Sequence, residues 1–379
     1  MKHDYDVAVI GAGIVGIAHA LAAARTGARV ALIEARGRAV GASIRNFGFV
    51  TVTGQERQEM WPLARRTRDI WETVAPAAGI RIEQTGLMMI ARRPEAAAVL
   101  EVFLQTEMGE GCVLAGQEEL ERRAPGVPFT DMDCALLSPH EFRIEAKAAL
   151  PLLLKWLASE WRVDIHTSTL AIQTLPGCVL TSRGDVRAST IFVCPGDEVS
   201  GLMPSLAEEM AVRPCKLNMM RLAAPDYRLP SPVMSDLGLV RYEGYSALPE
   251  INALKERLTR EQSSQLAAGI HLIAVQSGDG SLIVGDSHDY SDTPDPFQRD
   301  SIDRLILDEF ACVLGAPPPV IERWVGTYAW SPDRNWFSRE TQPGVHATVI
   351  TCGAGMSTAF AIAEDVVAGA LQSSSRSAV

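Results

Sequence analysis

The chain begins with a glycine-rich turn between two apolar segments, and this feature constrains the fold more than any other. Residues 5–10, YDVAVI, have the character of a short buried strand, and GAGIVG follows at 11–16. Residues 17–27 predict a helix of small and apolar residues, and residues 28–34, ARVALIE, predict a second buried strand. GxGxxG alone is weak evidence, but the complete strand–turn–helix–strand unit is the fingerprint of a dinucleotide-binding site. The N-terminal part is therefore predicted to be a Rossmann-like βαβ unit.

Each glycine of this turn has a physical task. Gly11 permits the tight turn, Gly13 lets the backbone approach a pyrophosphate, and Gly16 lets the helix pack close to the strand. The helix N-terminus presents N–H groups and a favourable dipole to the phosphates. Glu34, at the end of the second strand, is placed to accept hydrogen bonds from ribose hydroxyls and disfavours a 2′-phosphate, so NADP is not expected. The residues predicted here to bind the cofactor are Gly11, Gly13, Ile14, Val15, Gly16, Glu34, Ala35 and Arg36.

The βαβ unit does not by itself separate FAD from NAD. An NAD-dependent dehydrogenase would continue with regular βα repeats, whereas GASIRNFGFV follows here at residues 41–50. A small-residue turn so soon after Glu34 is suited to pass beneath an extended cofactor, and FAD reaches that far with its reactive ring. The turn adds Gly41, Ala42, Ser43, Arg45 and Asn46 to the predicted cofactor site. Arg45 is expected to serve either the flavin N5 edge or an anionic group of the substrate.

A second glycine turn lies near the C-terminus, between a strand and a helix, in residues 344–371. It places a helix N-terminus where the chain returns to the nucleotide domain, and backbone N–H groups there suit the negative charge of a reduced flavin. The residues assigned to the cofactor from this turn, from the strand end VCPG and from the preceding β segment are Gly353, Ala354, Gly355, Met356, Ser357, Thr358, Cys194, Pro195, Gly196 and Leu170.

The bulk properties exclude several functions. The chain has 379 residues, and its formal net charge is −11, which opposes binding to nucleic acid or an anionic membrane through the overall field. The seven cysteines contain no CxxC pair, so neither a zinc knuckle nor a disulfide framework is indicated, and reduced thiols in a cytoplasm fit best. No His/Asp/Glu spacing indicates a metal. No segment is long and apolar enough to span a membrane.

The remaining segments predict an alternation of helices and β-rich stretches. Helices are expected at 55–79, 94–109, 117–125, 147–160 and 298–315, with Pro151 near the start of the fourth; extended segments are expected at 86–92, 134–146, 161–196, 211–290 (including 238–248) and 323–330. The fold class is thus α/β plus β: a glutathione-reductase-type FAD-binding domain with a parallel sheet, and an inserted substrate domain on a mixed or antiparallel sheet. We assign 1–85, 144–205 and 322–379 to the first domain, and 86–143 and 206–321 to the second.

Together these residues resemble the FAD-dependent D-amino-acid oxidase superfamily, which includes glycine oxidase and monomeric sarcosine oxidase. Within it the chain looks most like a bacterial subgroup associated with phosphonate catabolism, through GASIRNFGFV, SPHEFRI, CKLNMMR, GDSHDY and GTYAWSP. The resemblance implies hydride transfer from a small amine to flavin N5. The resulting imine is hydrolysed to an aldehyde or keto acid plus an amine, and O2 is reduced to H2O2. The substrate would be 2-aminoethylphosphonate or its N-methyl form. The protein would be a cytoplasmic monomer or small homo-oligomer.

The sequence departs from its relatives on one strand. Monomeric sarcosine oxidase holds flavin through a cysteine where this chain has Gly326, so non-covalent FAD is expected. Glycine oxidase and D-amino-acid oxidase place a carboxylate-binding arginine on that strand, where this chain has Tyr328 and Trp330. A phosphonate would therefore need cations from elsewhere.

The candidate substrate-site residues are Arg45, Lys216, Tyr242, Tyr245, His288, Tyr328 and Trp330. Lys216 is expected either on the strand that crosses the open face of the flavin or as a surface lysine. His288 either faces the site or bonds within a turn, and the tyrosines 242 and 245, expected on a strand, either donate hydroxyls or pack. Three alternatives stay open: an oxidase of glycine, sarcosine or D-amino acids; a dehydrogenase that uses a quinone or protein acceptor; and a flavin-binding protein without turnover.

Overall fold

The computed structural model describes residues 4–130 and 132–377. Two sheets and the helices packed on them make up this part of the chain; one hydrophobic cluster lies mainly at the second sheet and two lie mainly at the first. No helix in the described ranges has the length and apolar character needed to cross a membrane.

The strands are β1 Tyr5–Ile10, β2 Val30–Ile33, β3 Phe49–Val50, β4 Ile82–Ala91, β5 Val113–Ala115, β6 Cys134–Ile144, β7 Asp164–His166, β8 Ala171–Leu175, β9 Cys178–Thr181, β10 Val186–Val193, β11 Arg213–Leu222, β12 Val233–Ser235, β13 Ile273–Gln276, β14 Leu282–Gly285, β15 Asp289–Tyr290, β16 Val320–Trp330, β17 Trp336–Gln342 and β18 Val345–Ile350.

The α-helices are α1 Ile14–Arg25, α2 Met60–Ala77, α3 Pro94–Phe103, α4 Gln117–Arg123, α5 Ala146–Glu160, α6 Val199–Leu202, α7 Pro204–Glu209, α8 Glu243–Ser246, α9 Ile251–Glu261, α10 Ser263–Ala267, α11 Asp300–Leu314 and α12 Gly355–Ser377; short 3₁₀ turns lie at Ala42–Ile44, Glu107–Gly109 and Asp236–Gly238.

The first sheet has the order β17-β18-β10-β1-β2-β7, with the β8–β9 hairpin attached to β10. The strands from β18 to β7 run parallel, so their carboxyl ends meet at one edge. Helices α1, α2 and α12 pack against one another and bury small and apolar side chains beside this sheet. This arrangement brings the N-terminal turn and the C-terminal turn to the same edge.

The second sheet has the order β15-β11-β14-β13-β12-β4-β6-β3, with β16 paired to β11 and β5 to β6. Its pairs are antiparallel except β4 with β12. The predicted combination of a mixed parallel FAD-binding sheet with a mostly antiparallel second sheet is confirmed. Because β16 pairs with β11 along its length, the second sheet extends to Trp330, past the predicted domain division at residue 322.

The predicted β character of residues 211–290 is wrong in two places. The segment expected to be extended at 238–248 forms turns and the short helix α8, because Gly244 packs its backbone onto the chain at Gly54 and an added Cβ would lie 2.5 Å from the Gln55 carbonyl. The helices α9 and α10 then follow, where no helix was predicted. In α9 the buried Ile251, Leu254 and Leu258 recur at helical spacing, a periodic signal that the sequence analysis overlooked, whereas α10 buries no residue.

The predicted position of Pro151 within its helix differs from the observed one. Helix α5 begins at Ala146, so Pro151 lies in its interior rather than in its first turn. Proline there cannot donate a backbone hydrogen bond, and the helix continues because its apolar side chains, such as Leu150 and Leu153, are fully buried.

Candidate functional site

The first glycine turn is held by contacts that exclude larger residues. A Cβ on Gly11 would lie 2.4 Å from the carbonyl oxygen of Cys194, and one on Gly16 would lie 1.8 Å from the carbonyl of Gly11. Gly11 also has φ of +98°, in the region that favours glycine. The turn is therefore packed against the end of β10, and the cofactor-binding roles of Gly11 and Cys194 stay predictions. Pro195 and Gly196 continue from this strand end.

Glu34 and Ser43 organise the turn. The Glu34 carboxylate accepts hydrogen bonds from the amides of Ala12 and Arg36, each at 3.0 Å. Ser43 Oγ accepts one from the amide of Ile14, the first residue of α1, at 3.0 Å. Each oxygen retains lone pairs for a further donor. A buried carboxylate after the second strand, beside a turn without bulky side chains, fits the ribose and pyrophosphate of a dinucleotide.

Other predicted cofactor residues surround this turn. Ala35 and Gly41 are exposed near it, and Val15 and Ala42 are half-buried. Leu170 lies in the loop before β8. Its amide donates a hydrogen bond to the Ser182 hydroxyl, and its carbonyl accepts one from the Ser182 amide.

The C-terminal turn lies directly beside the first one. An added Cβ on Gly355 would lie 3.5 Å from the Ile14 side chain. The Ser357 hydroxyl bonds the amide and the hydroxyl of Thr51, at 2.8 and 3.0 Å. The amide of Ser357 donates to the Ala354 carbonyl, so it is not a free donor for a flavin.

The side chains of Met356 and Thr358 are buried in the core of the first domain. Gly353, Ala354 and Ser357, by contrast, line a cavity of about 470 Å³ between the two sheets. This cavity also receives Asn46, Tyr242, His288, Tyr328 and Trp330, so the fold brings these sequence-predicted residues together.

A cation that the sequence reasoning overlooked lies on the cavity wall. Arg241 is half-buried, and its Nη2 donates to the hydroxyls of Tyr290 at 2.9 Å and Tyr328 at 3.3 Å. Burial alone would lower the pKa of this guanidinium, but the oxygens of Tyr328 and Tyr290 and the carboxyl of Asp286 raise it instead. Arg241 therefore presents a fixed positive charge to the cavity.

A cluster of His271, Asp286 and His288 forms the adjoining wall, and all three side chains are less than a tenth exposed. Burial raises the pKa of Asp286 to about 7. Burial and the charge of Arg241 hold the pKa of both histidines well below the usual value. At neutral pH the imidazoles are thus uncharged.

Three predicted substrate residues lie outside the cavity lining. Lys216 pairs with Thr327 across the β11–β16 ladder, on the face opposite Cys215 and Tyr328, and its ammonium donates to the Phe297 carbonyl at 2.6 Å. It is 3% exposed, so it is not a surface lysine either.

Tyr245 is fully buried, and its ring lies 4.6 Å from that of Phe103, so it packs instead of lining the cavity. Arg45 is half-buried behind Asn46. Its carbonyl accepts a hydrogen bond from Trp324 Nε1 at 2.9 Å and would lie 3.1 Å from a Cβ on Gly326.

The sequence carried a partial signal for the overlooked residues, because Asp286 lies two positions before His288 in GDSHDY. For His271 the connection comes only from the observed strand pairing. Strands β13 and β14 form an antiparallel hairpin in which Ile273 opposes Gly285, so His271 lies across from the stretch that contains Asp286 and His288. Arg241 immediately precedes Tyr242, which was selected, in a segment wrongly expected to be a strand.

Comparison with solved structures identifies proteins that share this fold. Glycine oxidase from Bacillus cereus ATCC 14579 superposes with a TM-score of 0.78 at 17% identity, covering 98% of this chain and 96% of its own. Glycine oxidase from Geobacillus kaustophilus gives 0.76 at 18%, covering 98% and 95%. L-proline dehydrogenase from P. horikoshii gives 0.77 at 18%, covering 97% and 93%. At these identities the likeness establishes the fold.

No curated protein matches the sequence significantly. The sequence model of one family does match, over residues 6–368, under the description FAD dependent oxidoreductase. This match spans both glycine turns and both sheets. The chain therefore belongs to the DAO family of FAD-dependent oxidoreductases.

Proposed function

We propose that this FAD-dependent oxidoreductase oxidises a small amine that carries an anionic group, an aminoalkylphosphonate such as N-methyl-2-aminoethylphosphonate or 2-aminoethylphosphonate. One observation carries the proposal: Arg241 presents a positive charge to the cavity beside the turn that contains Gly353. An anion there would receive charge-assisted hydrogen bonds, which are about twice as strong as neutral ones. The resemblance of the sequence to the phosphonate-associated subgroup supports the choice of anion.

The residues that would hold FAD are those of the two glycine turns, Glu34 and Ser43, together with Asn46 at the cavity. When bound, FAD would supply the hydride acceptor, and in an oxidase the electrons would pass to O2 and give H2O2. We propose that binding is non-covalent, because Gly326 offers no side chain for a bond and lies against the Arg45 carbonyl. All seven cysteines lie in the described residues and are free, which supports a reducing compartment, the cytoplasm.

The protein's part in the reaction is to orient the substrate. Arg241 holds the anionic end, so the amine and its neighbouring carbon extend toward Asn46 and Gly353. The hydroxyls of Tyr290 and Tyr328 fix the guanidinium, which reduces the conformational freedom lost on binding. The carbon bonded to nitrogen would give up a hydride to FAD and leave an iminium ion. Water would hydrolyse this ion to an aldehyde and a protonated amine, or ammonium where the substrate is a primary amine.

A second candidate is an oxidase of glycine, sarcosine or D-amino acids. The fold shared with two glycine oxidases favours it, and Arg241 would bind a carboxylate as well as a phosphonate. The third, a dehydrogenase with a quinone or protein acceptor, draws support from the fold shared with a proline dehydrogenase.

Peroxide release separates these candidates. We expect purified enzyme in air to release H2O2 with N-methyl-2-aminoethylphosphonate or 2-aminoethylphosphonate at a higher kcat/KM than with glycine, sarcosine or D-alanine. A higher kcat/KM with an amino acid would overturn the phosphonate assignment. If the flavin reduced by the substrate were reoxidised by a quinone and not by air, the enzyme would be a dehydrogenase.

A further inference from the structure

Two buried polar atoms on the cavity wall face each other without a hydrogen bond. His271 Nδ1 and Asp286 Oδ1 are 3.2 Å apart, and neither has a hydrogen-bond partner among the described residues. Both side chains are about 5% exposed. Buried polar atoms normally have partners, and leaving one unsatisfied costs about 1–3 kcal/mol. The two atoms are close enough for a hydrogen bond but do not form one, so each is left without a partner inside the protein.

His288 provides a third donor atom. Its Nδ1 lies 2.9 Å from the Gly269 carbonyl, which can only accept, so Nδ1 carries the proton and Nε2 keeps its lone pair. Nε2 lies 3.9 Å from Asp286 Oδ2. A histidine that donates its second ring N–H to a carbonyl is the arrangement found around metal ligands, where it fixes the tautomer and the ring orientation.

The three side chains can therefore offer ligand atoms that all lie within 4.8 Å of one another. Metal–nitrogen and metal–oxygen bonds of about 2.0–2.2 Å require neighbouring ligand atoms roughly 3–3.6 Å apart, so small side-chain rotations complete the geometry. We propose that His271, Asp286 and His288 bind one divalent transition-metal ion, for which Zn²⁺ is the probe. Two imidazoles and one carboxylate leave coordination positions open toward the cavity.

The position of Arg241 suggests what the open positions receive. Its charge beside the cluster opposes a bound cation, and an anion that bridges the guanidinium and the metal would offset this repulsion. A phosphonate has three oxygens and can contact the guanidinium and the metal ion at the same time. This choice of anion rests on the proposed function. By linkage, an inert phosphonate such as methylphosphonate should then tighten metal binding, and the metal should tighten phosphonate binding by the same factor.

Metal analysis of the untagged holoenzyme tests the proposal. After dialysis against a chelator, FAD-loaded enzyme is equilibrated with Zn²⁺, and bound zinc is measured per flavin. We expect one equivalent in the wild type, and a dissociation constant raised at least about 100-fold in Asp286→Asn and His288→Ala. His140→Ala is the matched control, because His140 bonds the Glu110 carbonyl outside the cavity lining, and it should bind like wild type.

Two further measurements keep the outcome decisive. The flavin spectrum and thermal unfolding identify variants that fail to fold, and a Co²⁺ difference spectrum with tetrahedral ligand-field bands tests the wild type without any substitution. A wild type that binds no zinc above the level of Asp286→Asn would overturn the metal site. If such metal-free enzyme still oxidises amines, the proposed function stands; if metal binds and no amine reduces the flavin, the proposed function fails and the metal site stands.

Discussion

Replacing Arg241 with glutamine removes the fixed positive charge from the cavity and preserves much of the side-chain volume. The charge-assisted hydrogen bonds of a buried ion pair contribute about 1.5–3 kcal/mol, and leaving a buried charge unpaired costs about 3–5 kcal/mol. Arg241 is only half-buried, so we take the lower end of the cost of leaving a charge unpaired. The expected loss of transition-state stabilisation is therefore about 3 kcal/mol. At 1.36 kcal/mol per factor of ten, kcat/KM for an aminoalkylphosphonate should fall about 100-fold.

Anaerobic stopped-flow measurement of flavin reduction gives this value directly. The matched substrate is N-methylpropylamine, which has a methyl group in place of the phosphonate. Its rate constant for flavin reduction should change less than about threefold in Arg241→Gln, because a substitution that removes no contact to the substrate changes the free energy by at most about 0.5 kcal/mol. Arg241→Lys should fall between wild type and glutamine, because a lysine keeps the charge but not the fork geometry. An exposed cavity arginine, Arg334, serves as the control position, with a smaller effect on substitution.

Equal losses for the phosphonate and the neutral amine would contradict a role of Arg241 in binding an anion. Such a result would mean that Arg241 maintains the positions of Tyr290 and Tyr328 and does not bind an anion. Tyr328→Phe distinguishes the two roles further, because it removes a bond to the guanidinium and leaves the charge in place.

Three more predictions address the rest of the chain. Gly16→Ala should abolish FAD retention, since its Cβ would lie 1.8 Å from a backbone carbonyl, whereas Gly116→Ala, with no atom within 4 Å, should retain FAD in a spectrophotometric assay. His19 is buried, which lowers its pKa to about 4, so its contribution to the free energy of unfolding should decline by up to about 3 kcal/mol as pH falls from 6.5 to 4. In denaturant titrations the decline of His19→Gln should be smaller than that of the wild type by this amount, because the pKa values of His271 and His288 are also lowered and these residues keep their own contributions. Arg45→Ala should lower kcat for amine oxidation while leaving the melting temperature nearly unchanged. An unchanged kcat and KM would exclude Arg45 from the site.

The elements whose formation depends mainly on residues close together in the sequence could be predicted. The first βαβ unit, the strand–turn–helix at the C-terminus and the helix α11 follow from local apolar patterns and glycine spacing, and all three are present. Glycine is required at Gly11 and Gly16 by backbone contacts, which is why the motif carries so much information.

The cavity wall could not be predicted in the same way. Lys216 and Cys215 are adjacent in the chain, yet the pleat of β11 directs them to opposite faces, and only the pairing with Tyr328 shows which face meets the cavity. Arg241 reaches the cavity because α8 packs against the turn at Gly54, a contact between segments almost two hundred residues apart. Such long-range packing leaves no periodic signal in the sequence.

Anaerobic flavin bleaching tests the central claim most directly. Purified enzyme containing FAD is mixed without oxygen with N-methyl-2-aminoethylphosphonate, 2-aminoethylphosphonate, sarcosine, glycine and D-alanine, and the loss of flavin absorbance is followed for each. We expect a phosphonate to bleach the flavin fastest, and the reduction to slow about 100-fold in Arg241→Gln. Bleaching by the amino acids alone, or by none of these amines, would contradict this expectation.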